Sequence, residues 1–282
     1  MIRARLALLG SAAAFGLMAV LARRLSRPDM GFTAGHLSVL RFAVGVVLCL
    51  IAFWIRPALH TPGDRRLLVL RGLSGGLVVV LYFEALARIP AGEAGIIYNL
   101  FPVLATLFAL AFFRERPTVH LALALALATV GVGLVLGQGR LAISLGKGEG
   151  AAFGAALFAA LSANAIRAAR PRSNATTIFF WFSLVGIPVV LPFALDPWPR
   201  APLAWALGLA MSLCALAAQV LMAEAYGALS VPEAAVWLQL TPVATYLFAL
   251  PVLGEPIRAW GLAGILLAVG GVAYGTVLGH RR

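Results

Sequence analysis

The segment Glu93–Leu110, EAGIIYNLFPVLATLFAL, returns 140 residues later as Glu233–Leu250, EAAVWLQLTPVATYLFAL, with no gap. Aligning Glu84–Glu115 with Glu224–Glu255 gives twelve identities in thirty-two positions, among them Glu84, Glu93, Leu100, Pro102 and Glu115. Such register marks an internal duplication. Each copy is apolar over a length that spans a bilayer and carries a proline at its middle. Proline has no N–H to give the carbonyl four residues back, and its ring crowds that turn. Pro102 therefore frees the carbonyl of Tyr98, and Pro242 that of Leu238. Hydrophobic helices interrupted at matching places in two halves point to a transporter's midplane binding site. The plainer alternative is a pair of kinked, packed helices.

Working outward, 62% hydrophobic and 11% charged residues with a mean hydropathy of +0.98 exclude an ordinary soluble domain and imply an integral membrane protein. The formal charge of +12 would suggest nucleic acid in a soluble chain. Here the basic residues fall in short connections between apolar runs, a topology signal, so no nucleic-acid partner is expected. Cys49 and Cys214 lie in apolar runs without metal-ligand spacing, and no metal or cofactor is expected.

Ten spans can be read: Leu6–Ala22, Phe32–Ile55, Leu67–Ala87, Ala91–Phe113, Val119–Gly137, Gly150–Ala168, Ala175–Leu195, Leu203–Tyr226, Val231–Leu253 and Ile257–Gly279. The first resembles a signal peptide, and Val20-Leu21-Ala22 would pass as its cleavage site. The duplication argues for keeping it: Ala13-Ala14-Phe15-Gly16 recurs as Ala151-Ala152-Phe153-Gly154 at the head of the sixth span. Five spans per copy invert the second copy relative to the first, which gives repeats 1–138 and 139–282.

Thirteen Lys and Arg lie on the side of the N-terminus and even-numbered connections, Arg71 counted among them, against eight on the other. The positive-inside rule then places both termini in the cytoplasm.

A charge inside hydrocarbon needs a partner, a wet cavity or a function. Arg41, about nine residues and roughly 13 Å into the second span, is the clearest case. It would face a substrate carboxylate or a structural partner. Glu84 and Glu224, at equivalent positions near span ends, could pair with Arg41, exchange protons, or simply end their helices. Glu93 and Glu233 stand in first turns, where a carboxylate suits the helix dipole, and Glu115 and Glu255 follow in hairpins. Asn99 and Gln239 correspond, one turn before each proline. They should face the protein interior, either toward substrate or in an interhelical hydrogen bond. With Phe15, Tyr82, Tyr98, Trp181, Gln219, Trp237 and Tyr246, they could line a cavity with apolar walls and a few polar groups. GLSGG at Gly72–Gly76 reads as close helix packing, since no strand precedes it to form a phosphate loop.

The five-plus-five duplication, the Glu-containing hairpins RERP and GEPI, and the Gly-rich last spans TVGVGLVLG and AVGGVAYGTVLG resemble the drug/metabolite transporter superfamily of EamA type. The YddG-type amino-acid exporters are the most similar branch. The resemblance covers essentially the whole chain. It implies an all-α membrane protein of ten helices as two inverted repeats around a central cavity, with spans five and ten outside. It also implies export of aromatic and other apolar amino acids, or similar small metabolites, from the bacterial cytoplasm across the inner membrane.

The small-molecule substrate and the bilayer would be the partners, with one chain sufficient since it holds both halves. Nucleotide-sugar and sugar-phosphate carriers need fixed cations, and only Arg41 is read as deep. The first span lacks the glutamate of the small multidrug proteins, although export of drugs or other metabolites stays an alternative. A membrane-embedded enzyme is the distant one, because no HExxH, nucleophile elbow, Cys/His cluster or paired carboxylates appear.

Overall fold

The computed structural model describes residues 1–86, 88, 89, 91–137, 146–254, 256 and 258–278, and every regular element among them is helical. In order these are α1 (Ile2–Leu25), α2 (Ala34–Ile55), α3 (Arg65–Leu86), α4 (Ala91–Tyr98), α5 (Phe101–Phe113), α6 (Val119–Gly137), α7 (Lys147–Ala169), α8 (Ala175–Val190), α9 (Pro202–Tyr226), α10 (Val231–Leu238), α11 (Leu240–Leu253) and α12 (Ala259–Leu278). Two short 3-10 turns, Pro57–Leu59 and Leu191–Phe193, follow α2 and α8. The ends read at Ala87, Ile257 and Gly279, the charges Arg140, Arg281 and Arg282, Glu255, and the repeat boundary at 138/139 lie outside the described residues.

Joining α4 with α5 and α10 with α11 leaves ten segments long and apolar enough to cross a membrane. Both composite spans are interrupted at the amide position. The first stops at Tyr98 and resumes at Phe101, with Pro102 in the opening turn of the new helix, where its missing N–H costs nothing. The second stops at Leu238 and resumes at Leu240, with Gln239 between. An odd number of crossings per half inverts the second half, giving two inverted five-helix repeats around a central cavity.

Helix starts are fixed by side chains. Thr33 and His36 form a capping box at α2, and the buried His36 also reaches the carbonyl of Asp196 at 3.0 Å. Asn174 caps α8, and Ser230 caps α10. α3 packs on α7 and α8, and α1 on α9 and α11. Small residues permit the closest approaches. A Cβ at Gly72 or Gly76 would meet Val185 or Val189 of α8, and one at Gly75 would meet the Phe182 ring and the Arg71 guanidinium. α6 and α12 touch backbone to backbone, since a Cβ at Gly131 would press on the main chain of Gly264 and Ala268.

The two ends of the bundle differ. At the face where α1 begins, one continuous apolar cluster joins Leu8, Leu68, Ala109, Ile166, Ile178, Met222, Tyr226 and Leu238, from both halves. At the far face the apolar clusters are separate: Leu25, Met30, Phe32 and Leu37 with α9 on one side, and Ala85, Ala94 and Ile97 with α7 on the other. Among the described residues, then, one continuous apolar seal joins the halves at the N-terminal face, whereas at the far face they meet in two separate smaller clusters.

Ion pairs differ between the two faces, although His36 and the Asp196 carbonyl also link the halves at the far one. The seal carries Arg5–Glu233 at 2.9 Å, Arg167–Glu115 at 3.0 Å and Arg170–Glu224 at 2.7 Å. Glu115 also accepts the Val231 N–H, and Arg167 donates to the Tyr226 carbonyl. The ion pairs Arg24–Asp29 and Arg88–Glu84, at the far face, link only near neighbours in sequence.

Candidate substrate site

Above the seal, two arginines from α2 and α3, consecutive helices that both pack on α8, come near each other. α3 begins at Arg65, so Arg71 lies six residues, roughly 9 Å, along that span, and it is 4% exposed. Its Nη1 donates to Ser162 Oγ of α7 at 2.5 Å, its Nη2 donates to Gln219 Oε1 of α9 at 2.8 Å, and its guanidinium lies 3.9 Å from the Phe182 ring centroid. Its Nε is buried without a partner. This corrects the reading of Arg71 as a connecting-segment charge. Two arginines lie within spans, not one, and the charge count on the N-terminal side falls from thirteen to twelve. The misreading arose because Arg71 follows Arg65 and Arg66 closely, which blended it with the segment before α3.

Arg41 descends from the far face, seven residues into α2. It makes a 4.0 Å contact with Met18 Sδ, lies 4.8 Å from the neighbouring Phe42 ring and leaves a buried Nε unpartnered. Neither arginine forms an ion pair with a described residue. The two guanidiniums lie near each other and near the Tyr98 hydroxyl. The Tyr98 ring lies 5.0 Å from that of Tyr82 and 5.5 Å from that of Phe101, and these three form one wall. Phe15, Phe101 and Trp181, all partly buried, rest on the apolar cluster below as a floor. The Trp181 indole N–H has no partner. Such a space offers two cations, Gln219 and an aromatic surface, suited to a small molecule with an acidic group and an apolar body.

The remaining candidates lie elsewhere. Asn99 donates to Gln239 at 2.5 Å, and Gln239, fully buried, donates in turn to Thr129 of α6 at 2.7 Å. The two amides thus bind each other across the halves, in the interhelical arrangement, instead of presenting free groups to a ligand. Tyr246 turns away from the cavity: its ring lies against Gly261, and its hydroxyl accepts the Arg258 N–H at 2.9 Å. Trp237 packs in the core and lines an apolar lateral groove of about 510 Å³ between α1, α11 and α12, beside Leu9, Val243 and Val272. Pairing of Glu84 or Glu224 with Arg41 is overturned: Glu84 is half exposed and pairs with Arg88, and Glu224 with Arg170. Both stand two residues before a helix end, where a nearby basic residue and water satisfy them at less cost than a buried partner would.

Ser162 and Phe182 were not singled out in the sequence. A serine or phenylalanine in an apolar span is common, and only the buried guanidinium they enclose makes them notable.

The EamA-like transporter family matches residues 2–137 and 146–276, one copy per half. The pseudopaline exporter CntI of Pseudomonas aeruginosa, in two strains, is 30% identical over 197 residues, spanning 68% of this chain and 68% of the exporter. A solved crystal structure superposes with a TM-score of 0.81 over 98% of this chain and 99% of its own, at 22% identity, a likeness of fold. With both halves matched and the cavity enclosed by two inverted five-helix repeats, the chain belongs to the EamA-like transporter family and is a multi-pass membrane transporter.

Proposed function

We propose that the chain exports amino acids, or similar small metabolites carrying a carboxylate, from the bacterial cytoplasm by alternating access. Arg41 carries the reading: a partly buried guanidinium within a membrane span, with no anionic partner among the described residues, near Tyr98 of the Tyr82–Tyr98–Phe101 wall. An unpaired charge there is costly, and a substrate carboxylate would offset that cost, while the aromatic wall takes an apolar side chain. That the 30% identical relative is an exporter supports the direction.

In this reading both termini are cytoplasmic, the sealed face is the cytoplasmic one, and the described conformation is outward-facing. The interruptions before Pro102 and Pro242 serve as hinges where the halves rock. One chain suffices, because it contains both halves of the inverted pair. The decisive experiment is uptake of labelled amino acids into liposomes holding the purified protein, without and with a proton gradient. Saturable flux in wild type, reduced about tenfold or more by Arg41→Gln, is the expected result. Absence of flux for every amino acid, with folded protein, would sink the reading.

A further inference from the structure

We propose that the cavity has a second anion subsite, at Arg71, and that its substrates are small molecules bearing two carboxylates, one held by Arg41 and the other by Arg71. This rests on the export reading above and narrows its substrate class.

Arg71 is held by neutral groups only. Ser162 Oγ and Gln219 Oε1 each accept one N–H, and the Phe182 ring covers one face of the guanidinium. These contacts orient the cation without cancelling its charge. Its Nε–H, nine-tenths buried with the rest of the side chain, has no acceptor. Five described carboxylates are committed to other cations: Asp29 to Arg24, Glu84 to Arg88, Glu115 to Arg167, Glu224 to Arg170 and Glu233 to Arg5.

Two like charges thus stand close together and repel. A single carboxylate relieves one of them, whereas two carboxylates relieve both and the repulsion between them. Depth favours two separated groups over one compact oxyanion. Arg41 enters from the far face and Arg71 from the N-terminal face, on antiparallel helices of equal length, so their Cα levels differ by roughly 12 Å at helical rise. Their flexible stems bring the heads close enough to interact, yet each fork is aimed from its own end. Gln219, half-buried beside Arg71, is placed to meet the same acid group.

Isosteric pairs isolate the charge. In proteoliposomes, glutamate and glutamine, and aspartate and asparagine, are compared as competitors of a labelled amino acid that the wild type transports. The second acid should strengthen competition by about tenfold to a hundredfold. Arg71→Gln should abolish that preference, so that acid and amide compete equally, and Arg41→Gln should weaken competition by both. Equal competition by acid and amide in wild type, or a preference that survives Arg71→Gln, would overturn the second subsite and leave the export reading standing.

Loss of all flux in wild type would instead sink the export reading, and binding then decides the subsite. Thermal stability of the purified protein is followed with glutamate, glutamine, chloride, sulfate and phosphate at constant ionic strength. Stabilisation by glutamate above glutamine and the inorganic anions, lost in Arg71→Gln, supports a dicarboxylate site. Equal stabilisation by chloride, sulfate or phosphate reduces Arg71 to a general anion site and overturns the proposal. Arg71→Lys keeps the charge without the fork and guards against misfolding of the glutamine variant.

Discussion

At the scale of single residues, the amide pair and the arginines behave differently because their partners differ. Asn99 and Gln239 satisfy each other, so removing one strands the other in a buried site. Asn99→Ala and Gln239→Ala should each cost about 1–3 kcal/mol. A double variant that replaces both with apolar residues should cost less than the sum. Thermal unfolding in detergent, arranged as a double-mutant cycle, measures this coupling. Additive losses would show that the 2.5 Å contact contributes nothing. Corresponding positions in a duplication can meet on the axis that relates the halves, and Asn99 and Gln239 do. That meeting was not legible in the sequence, where an amide in an apolar span equally suits a ligand. The depth of Arg41 was legible from its place in the span. Arg71 was not, since only the start of α3 at Arg65 and the neutral cage around its head separate it from a loop charge.

At the scale of elements, packing is governed by where a side chain is forbidden. A Cβ at Gly131 or Gly264 would fall on the main chain of the partner helix, so Gly131→Val or Gly264→Val should force α6 and α12 apart. The expected cost is about 1–3 kcal/mol, read as a lower unfolding midpoint. Gly133 and Gly270 lie on the same helices with open space at their Cβ positions, and Gly133→Ala or Gly270→Ala should leave the midpoint unchanged or raised. Equal effects at all four sites would contradict the α6–α12 contact. The Gly-rich character of the last span in each half was plain in the sequence. Its partner was not, because periodicity identifies a tight face without saying what lies against it.

At the scale of the whole molecule, the seal at the N-terminal face combines an apolar cluster with ion pairs that cross the halves. Glu115 bridges Arg167 and the start of α10, and Glu233 holds Arg5 of α1. The Arg167–Glu115 pair is partly exposed and contributes about 0–1 kcal/mol, whereas Glu233 is buried, so loosening the seal from Arg5 and Glu115 and leaving Glu233 in place should shift the balance of states without unfolding the protein. Combining Arg5→Gln with Glu115→Gln should raise labelling of a cysteine placed at the buried Ile166 by a membrane-impermeant thiol reagent supplied from the N-terminal face. The background would lack Cys49 and Cys214. Unchanged labelling would assign the seal to apolar packing alone. In the proposed orientation, a fluorescent fusion at the C-terminus should fluoresce and a phosphatase fusion should be inactive; the reverse would invert the topology.

Span number, duplication, inversion and the places of the two interruptions follow from linear properties, namely apolar length, register and proline chemistry, each read within a few tens of residues. Which polar groups face one another depends on helix rotation about its own axis and on contacts between halves more than a hundred residues apart, and no local pattern encodes these. For that reason Tyr246 and Gln239, equivalent in sequence to Thr106 and Asn99, turn toward α12 and α6. For the same reason Arg71, inconspicuous in the chain, faces the cavity beside Arg41.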